Sequence, residues 1–115
     1  MFETKDSGKR EDYPSGMKRD TQDGKAAFHL LIPKGVPYKQ QMWTRVAMLM
    51  ERGRLKYGER NWEKADSEDE MERAKASAER HMMQWVCGEL DEDHAAAIIF
   101  NVLFYETTKY KREAK

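Results

Sequence analysis

The chain has 115 residues, of which 21 are basic and 21 acidic, so its formal net charge is zero. That length suits one domain with a modest core, and the balanced charge supplies no global field to draw the protein onto nucleic acid or an anionic membrane. The single cysteine, Cys87, cannot close an intramolecular disulfide, the longest apolar run is about half of what a bilayer crossing needs, and the charged N-terminus lacks a signal-peptide core. A soluble, cytosolic protein with neither nucleic acid nor membrane as partner is expected.

Residues 1–17 mix charges with Gly, Pro and Ser and show no periodicity, which predicts a flexible arm preceding a single domain over residues 18–115. From Lys18 to Tyr38 a turn at Gly24, a short apolar run from Phe28 to Ile32 and the break Pro33-Lys34-Gly35 read as an extended segment laid across a helical body. Beyond Pro37, Trp43, Val46, Met50, Gly53 and Tyr57 step by three and four, widened by Met42 and Leu49, and predict a first helix that stops near Gly58. The loop GERNWEKA follows. Ser67 and Glu70 have the capping-box spacing, which starts a second helix at about 68 and carries it to Gly88 or a little past. Asp91 or Asp93 then caps a third helix that runs to about Lys109, and the apolar content of its first half marks it as the buried central element. The fold class is therefore all-α: a compact helical bundle of three main helices with an extended N-terminal arm.

The groups able to do chemistry gather between the second and third helices. His81 falls in the inner stripe formed by Met71, Ala74, Ala78, Trp85 and Gly88, and Glu89, Asp91, Glu92, Asp93 and His94 follow at the turn. His94 and Asn101 lie seven apart on one face of the third helix, as His81 and Gly88 do on the second, so an antiparallel pair would bring the two imidazoles together. Acidic residues at that turn suit a hard cation, which prefers a few carboxylates plus water; they equally suit the positive end of a helix dipole with no metal at all. Asn101 offers an amide to a base edge or a phosphate water, or simply a bond to a neighbouring backbone. Arg80, at the edge of the stripe, can reach a phosphate or pair with surface acids. In KYGERNW, Lys56 offers a cation to phosphates, while Asn61 and Trp62 offer an amide and a ring to a base. The alternative there is that Trp62 folds back as a hydrophobic lid and Lys56 is solvated. No Walker-type glycine loop, nucleophile elbow or zinc spacing occurs, so phosphate recognition falls to side chains and metal.

The ordered motifs RDTQDGK, KYGERNW and RHMMQWVCGE with DEDHAAAIIFN, spanning Arg19 to about Lys109, resemble the phage-type dATP/dGTP diphosphohydrolases of the Z-genome pathway, relatives of the MazG-like nucleotide pyrophosphohydrolases. The resemblance implies a MazG-like all-α fold in the cytoplasm of an infected cell. It also implies a divalent metal, magnesium or alternatively manganese, that serves to cleave dGTP or dATP to the monophosphate and pyrophosphate. Homo-oligomers, dimers or tetramers, are common in the wider group. Carried onto this sequence, the resemblance places metal ligands at Glu89, Glu92 and Asp93 and catalytic groups at His81, Glu89 and His94. Nucleotide contacts would come from Arg19, Lys25, Lys56, Asn61, Trp62, Arg80 and Asn101. The usual E-x-x-E and E-x-x-D carboxylates are altered here. With AIIFNV laid on the place where such enzymes read like DLLFNV, Ala97 stands at the last carboxylate and His94 at the glutamate before it. The resemblance thus leaves two outcomes: a rearranged ligand set drawn from Glu89 to His94, or a non-catalytic helical module. Such a module would bind nucleotide or protein, using the adaptable side chains of Met42, Met48 and Met50.

Overall fold

The computed structural model describes residues 3–4, 6–21 and 24–115, so Gln22 and Asp23 of the RDTQDGK motif lie outside the described residues. The chain divides into two compact units, Met1–Leu31 and Ile32–Lys115.

In the first unit, β1 (Arg10–Asp12) pairs antiparallel with β2 (Lys18–Asp20) in the register Arg10 to Asp20, Glu11 to Arg19 and Asp12 to Lys18. Every facing pair is oppositely charged, and such cross-strand pairs contribute roughly 0.2–1 kcal/mol each. The Tyr13 N–H donates to the Met17 carbonyl at 3.0 Å and Gly16 turns the chain with φ +88°. Strand β1 thus lies inside the stretch expected to be an arm. The run from Phe28 to Leu31 is a 3-10 turn and not extended chain.

The second unit carries the three expected helices: α1 (Met42–Tyr57), α2 (Glu68–Val86) and α3 (His94–Glu113), with short 3-10 turns at Tyr38–Gln40 and Asn61–Lys64. The fold is all-α apart from the small two-stranded sheet. Helix α3 packs against both α1 and α2, which do not pack on each other among the described residues, so it is the central element, and it runs four residues past Lys109. The start of α2 is the expected capping box. Ser67 Oγ accepts the Glu70 N–H at 3.2 Å, and Glu70 Oε1 accepts the Ser67 hydroxyl at 2.8 Å and the Asp66 N–H at 2.9 Å.

Among the described residues, the buried apolar ones are Val46, Ala65, Ala74, Ala96 and Ala97. Small side chains at these positions let the helices approach closely but remove little apolar area from water. The larger rings cluster beside them. Trp62 meets Phe100 edge-on at 5.9 Å and Phe104 at 6.2 Å between ring centres. Lys111 donates to the Glu63 carbonyl and Lys115 pairs with Asp66, which fastens the segment between α1 and α2 to the far end of α3. No helix among the described residues is long and apolar enough to cross a membrane.

Candidate active site

Helix α2 stops where glycine first permits it. The Gly88 N–H donates to the Trp85 carbonyl at 3.1 Å and the Glu89 N–H to the Gln84 carbonyl at 3.0 Å, with Gly88 at φ +77°. These two bonds with a left-handed glycine are the Schellman ending. It aims the chain into Glu89, whose carboxylate also accepts from Gln84 Nε2 at 3.0 Å. Four residues after Glu89, Asp93 caps α3, its Oδ1 accepting the Ala96 N–H at 3.0 Å. The same carboxylate takes both prongs of Arg45 from α1, Nε at 2.8 Å and Nη2 at 2.7 Å. That guanidinium holds the Asp93 carboxyl below the usual carboxylate range.

Between these two stops the antiparallel packing of α2 on α3 brings His81 to His94, with 2.9 Å between the two Nδ1 atoms. Both rings are buried, at 9% and 2% exposure. On its far side His94 Nε2 lies 2.8 Å from Asp91 Oδ1, and that bond lowers the Asp91 carboxyl. An ionised carboxylate only accepts, so Nε2 of His94 carries a hydrogen and, in the neutral ring, Nδ1 presents its lone pair to His81. Burial, reinforced by the neighbouring Arg80, pushes the His81 imidazole below its ordinary value. Among the described residues, two sets of side chains have potential ligand atoms within 4.8 Å of one another: His81, Glu92 and His94, and Glu89, Asp91 and His94.

Along the same helix pair runs an open cleft of about 510 Å³, lined by Asp69, Glu70, Arg73, Ser77 and Arg80 from α2 and by Phe100, Asn101 and Phe104 from α3. Its volume is in the range of small-molecule sites, roughly 300–1,000 Å³. The cleft reaches Arg80, adjacent in sequence to His81. Asn101 Nδ2 donates to the Ala97 carbonyl at 2.8 Å, so one end of the amide serves its own helix.

Residues 15–115 match the protein family described as dATP/dGTP diphosphohydrolase, N-terminal. The chain belongs to this family. At the level of the family the activity is hydrolysis of a deoxynucleotide. No curated protein and no solved structure matches the chain.

In this diphosphohydrolase family member, His94 lies near His81 and Glu92 in one group and near Glu89 and Asp91 in the other. Asp93 does not join them. Its oxygens are engaged by Arg45 and Ala96, and it belongs to neither ligand group. Asp91, read from sequence as an alternative cap, instead supports His94. Arg80 and Asn101 share the cleft; Lys56 and Asn61 do not line it. Lys56 Nζ sits 5.1 Å from the centre of the Tyr57 ring, and Asn61 is exposed at the start of a 3-10 turn. Trp62 backs the two phenylalanines that form the cleft wall, the lid arrangement. Arg19 and Lys25 are exposed residues of the first unit. Arg73 and Ser77 were missed by sequence reasoning. The available signal was their spacing with Arg80, in steps of four and three along one face of α2.

Proposed function

We propose that the protein hydrolyses dGTP and dATP in the cleft between α2 and α3, breaking the bond between the α- and β-phosphates to release the monophosphate and pyrophosphate. The observation that carries this reading is the juxtaposition, in a chain of this family, of a buried histidine pair with its carboxylates and an arginine-lined cleft of nucleotide size. Arg73 and Arg80 would hold phosphate oxygens by charge-assisted hydrogen bonds. Phe100 and Phe104 offer the purine an aromatic wall, stiffened from behind by Trp62. The donor set of His81, Glu92 and His94 fits a divalent cation, as does that of Glu89, Asp91 and His94. Such an ion, when bound, supplies neutralisation of charge developing on the phosphoryl oxygens and lowers the pKa of water. Glu89, exposed and tethered by Gln84, would accept the proton the attacking water gives up.

The test is pyrophosphate release from dGTP and dATP with divalent metal, with chelator, and in Arg73→Ala and Arg80→Ala variants. Expected are loss of turnover in chelator and a rise in KM of about tenfold for either arginine, the effect of removing roughly 1.4 kcal/mol of binding. Absence of turnover with every metal, with nucleotide still bound, would establish the non-catalytic module instead.

We further propose that the chain self-associates. The last turn and a half of α2 exposes Met82, Met83, Trp85 and Val86, the following loop exposes Leu90, and α1 exposes Trp43, Met48 and Leu55, while among the described residues no buried apolar side chain exceeds valine in size. A unit with so little buried and so much large apolar surface exposed gains by covering that surface with another copy.

A further inference from the structure

We propose that His81, Glu92 and His94 form a metal site that selects a transition ion of the manganese-to-zinc series over magnesium, with Asp91 as the residue that positions His94. The proposal deepens the metal-dependent reading above and rests on it only for the ion's use in catalysis, not for its binding.

The first support is the way the two imidazoles meet. Their Nδ1 atoms lie 2.9 Å apart, in direct hydrogen-bond contact inside the protein. Two nitrogens so placed either share one hydrogen or share one cation. Bonds from imidazole to a transition ion are about 2.0–2.1 Å long, so a separation below twice that length is one a single ion can bridge. Glu92 brings a carboxylate oxygen within 4.8 Å of both rings, still within the span of two such bonds given small side-chain movement.

The second support is independent of the pair. His94 gives its other ring hydrogen to Asp91 at 2.8 Å. A carboxylate on the far nitrogen is the usual companion of a metal-binding histidine, because it fixes the tautomer and raises the basicity of the ligating nitrogen. With Nε2 committed to Asp91, Nδ1 of His94 faces inward with its lone pair. Only His81 must then present the same face, and moving its hydrogen from Nδ1 to Nε2 accomplishes this without charging the ring.

The class of ion follows from the donors. Magnesium takes oxygen ligands and keeps several waters, whereas two imidazoles and one carboxylate suit manganese, iron, cobalt and zinc, with affinity rising along that series towards copper and falling slightly at zinc. Three protein ligands leave coordination positions open, the arrangement of a catalytic and not a structural ion. Of the two ions implied by the family resemblance, manganese therefore fits this site and magnesium does not. Glu89 and Asp91, the oxygen donors of the other set, each already hold a hydrogen bond, from Gln84 and His94 respectively.

The experiment is titration of the full-length, chelator-treated protein with Co²⁺ in the absence of nucleotide, read by visible absorption, followed by competition with Zn²⁺, Mn²⁺ and Mg²⁺. The expected result is a saturable Co²⁺ spectrum at one equivalent per chain, displaced by Zn²⁺ and unaffected by millimolar Mg²⁺. Glu92→Gln, at an exposed position that leaves folding intact, should weaken Co²⁺ binding about 10- to 100-fold or more, and Asp91→Asn about 10- to 100-fold. Circular dichroism of each variant verifies the fold. Absence of a Co²⁺ spectrum in the folded wild type would overturn the site, as would full affinity in Glu92→Gln. A protein that binds Co²⁺ as described yet cleaves neither dGTP nor dATP would overturn the hydrolase reading alone. A hydrolase supported by Mg²⁺ that binds neither Co²⁺ nor Zn²⁺ would overturn this site alone.

Discussion

Replacing Arg45 with alanine isolates what fastens α1 to the start of α3. The guanidinium makes two parallel charge-assisted bonds to Asp93, at 2.7 and 2.8 Å, with the two side chains 33% and 35% exposed. A fully exposed pair would contribute up to about 1 kcal/mol, and breaking a fully buried one costs about 3–5 kcal/mol. At one-third exposure solvent screens much of the attraction, and the orphaned carboxylate keeps its bond to the Ala96 N–H. The expected cost is therefore about 1–2 kcal/mol, or roughly 5–10 °C in melting temperature for a unit of this size. Asp93→Asn, which keeps a capping oxygen, should cost about 1 kcal/mol, and Asp93→Ala about 1 kcal/mol more because the cap is lost as well. The pH dependence has a definite sign. Arg45 lowers the Asp93 carboxyl in the folded state, so the stabilisation is present above the unfolded carboxylate range near about pH 3.9 and is lost as pH falls through the lower folded value. Urea unfolding of wild type and Arg45→Ala at matched concentration, followed by circular dichroism, should show a gap near neutrality that closes in acid. A gap of the same size at about pH 2.5, or none at neutrality, would refute the ion-pair account and leave only packing of the arginine stem.

Gly88→Ala should destabilise by about 1–2 kcal/mol, because an added Cβ meets nothing within 4 Å and the cost is the left-handed backbone alone. Gly88→Asn should lose distinctly less, and equal losses in thermal melts would point to a packing role. Trp62→Ala removes the stacking on Phe100 and Phe104 and is expected to cost about 2–3 kcal/mol, less than a fully buried tryptophan. It should slow dGTP and dATP turnover alike; a changed ratio of the two would make Trp62 a base-reading residue. Met83→Glu and Trp85→Glu, on the exposed end of α2, should each convert an oligomer to the 13.6 kDa chain in sedimentation. A mass unchanged from wild type would place the self-association surface elsewhere.

Much of the helical unit was written locally. The first helix, the capping box at Ser67 and the glycine stop at Gly88 are each settled by residues within four or five positions of one another, the range over which helix hydrogen bonds and caps act. Even the meeting of His81 with His94 follows from periodicity once α2 and α3 are antiparallel, because helical spacing fixes which side chains share a face. The hairpin at Arg10–Asp12 and Lys18–Asp20 was invisible since its strands are wholly charged, so no alternation of apolar residues announces it and opposite charges set the pairing instead. Asp93 as the partner of Arg45, 48 residues away, and Trp62 as the backing of Phe100 and Phe104 depend on where helices come to rest. So does the cleft that gathers Arg73, Ser77 and Arg80 opposite Asn101. Spacing narrowed the cap of α3 to Asp91 or Asp93, but which carboxylate supports a histidine and which clamps an arginine was open among Glu89, Asp91, Glu92 and Asp93, because four acids in five positions are alike to a reader of spacing. Local bonding determined the helices and their ends; the division of labour among those acids was decided only by the distances that packing imposed.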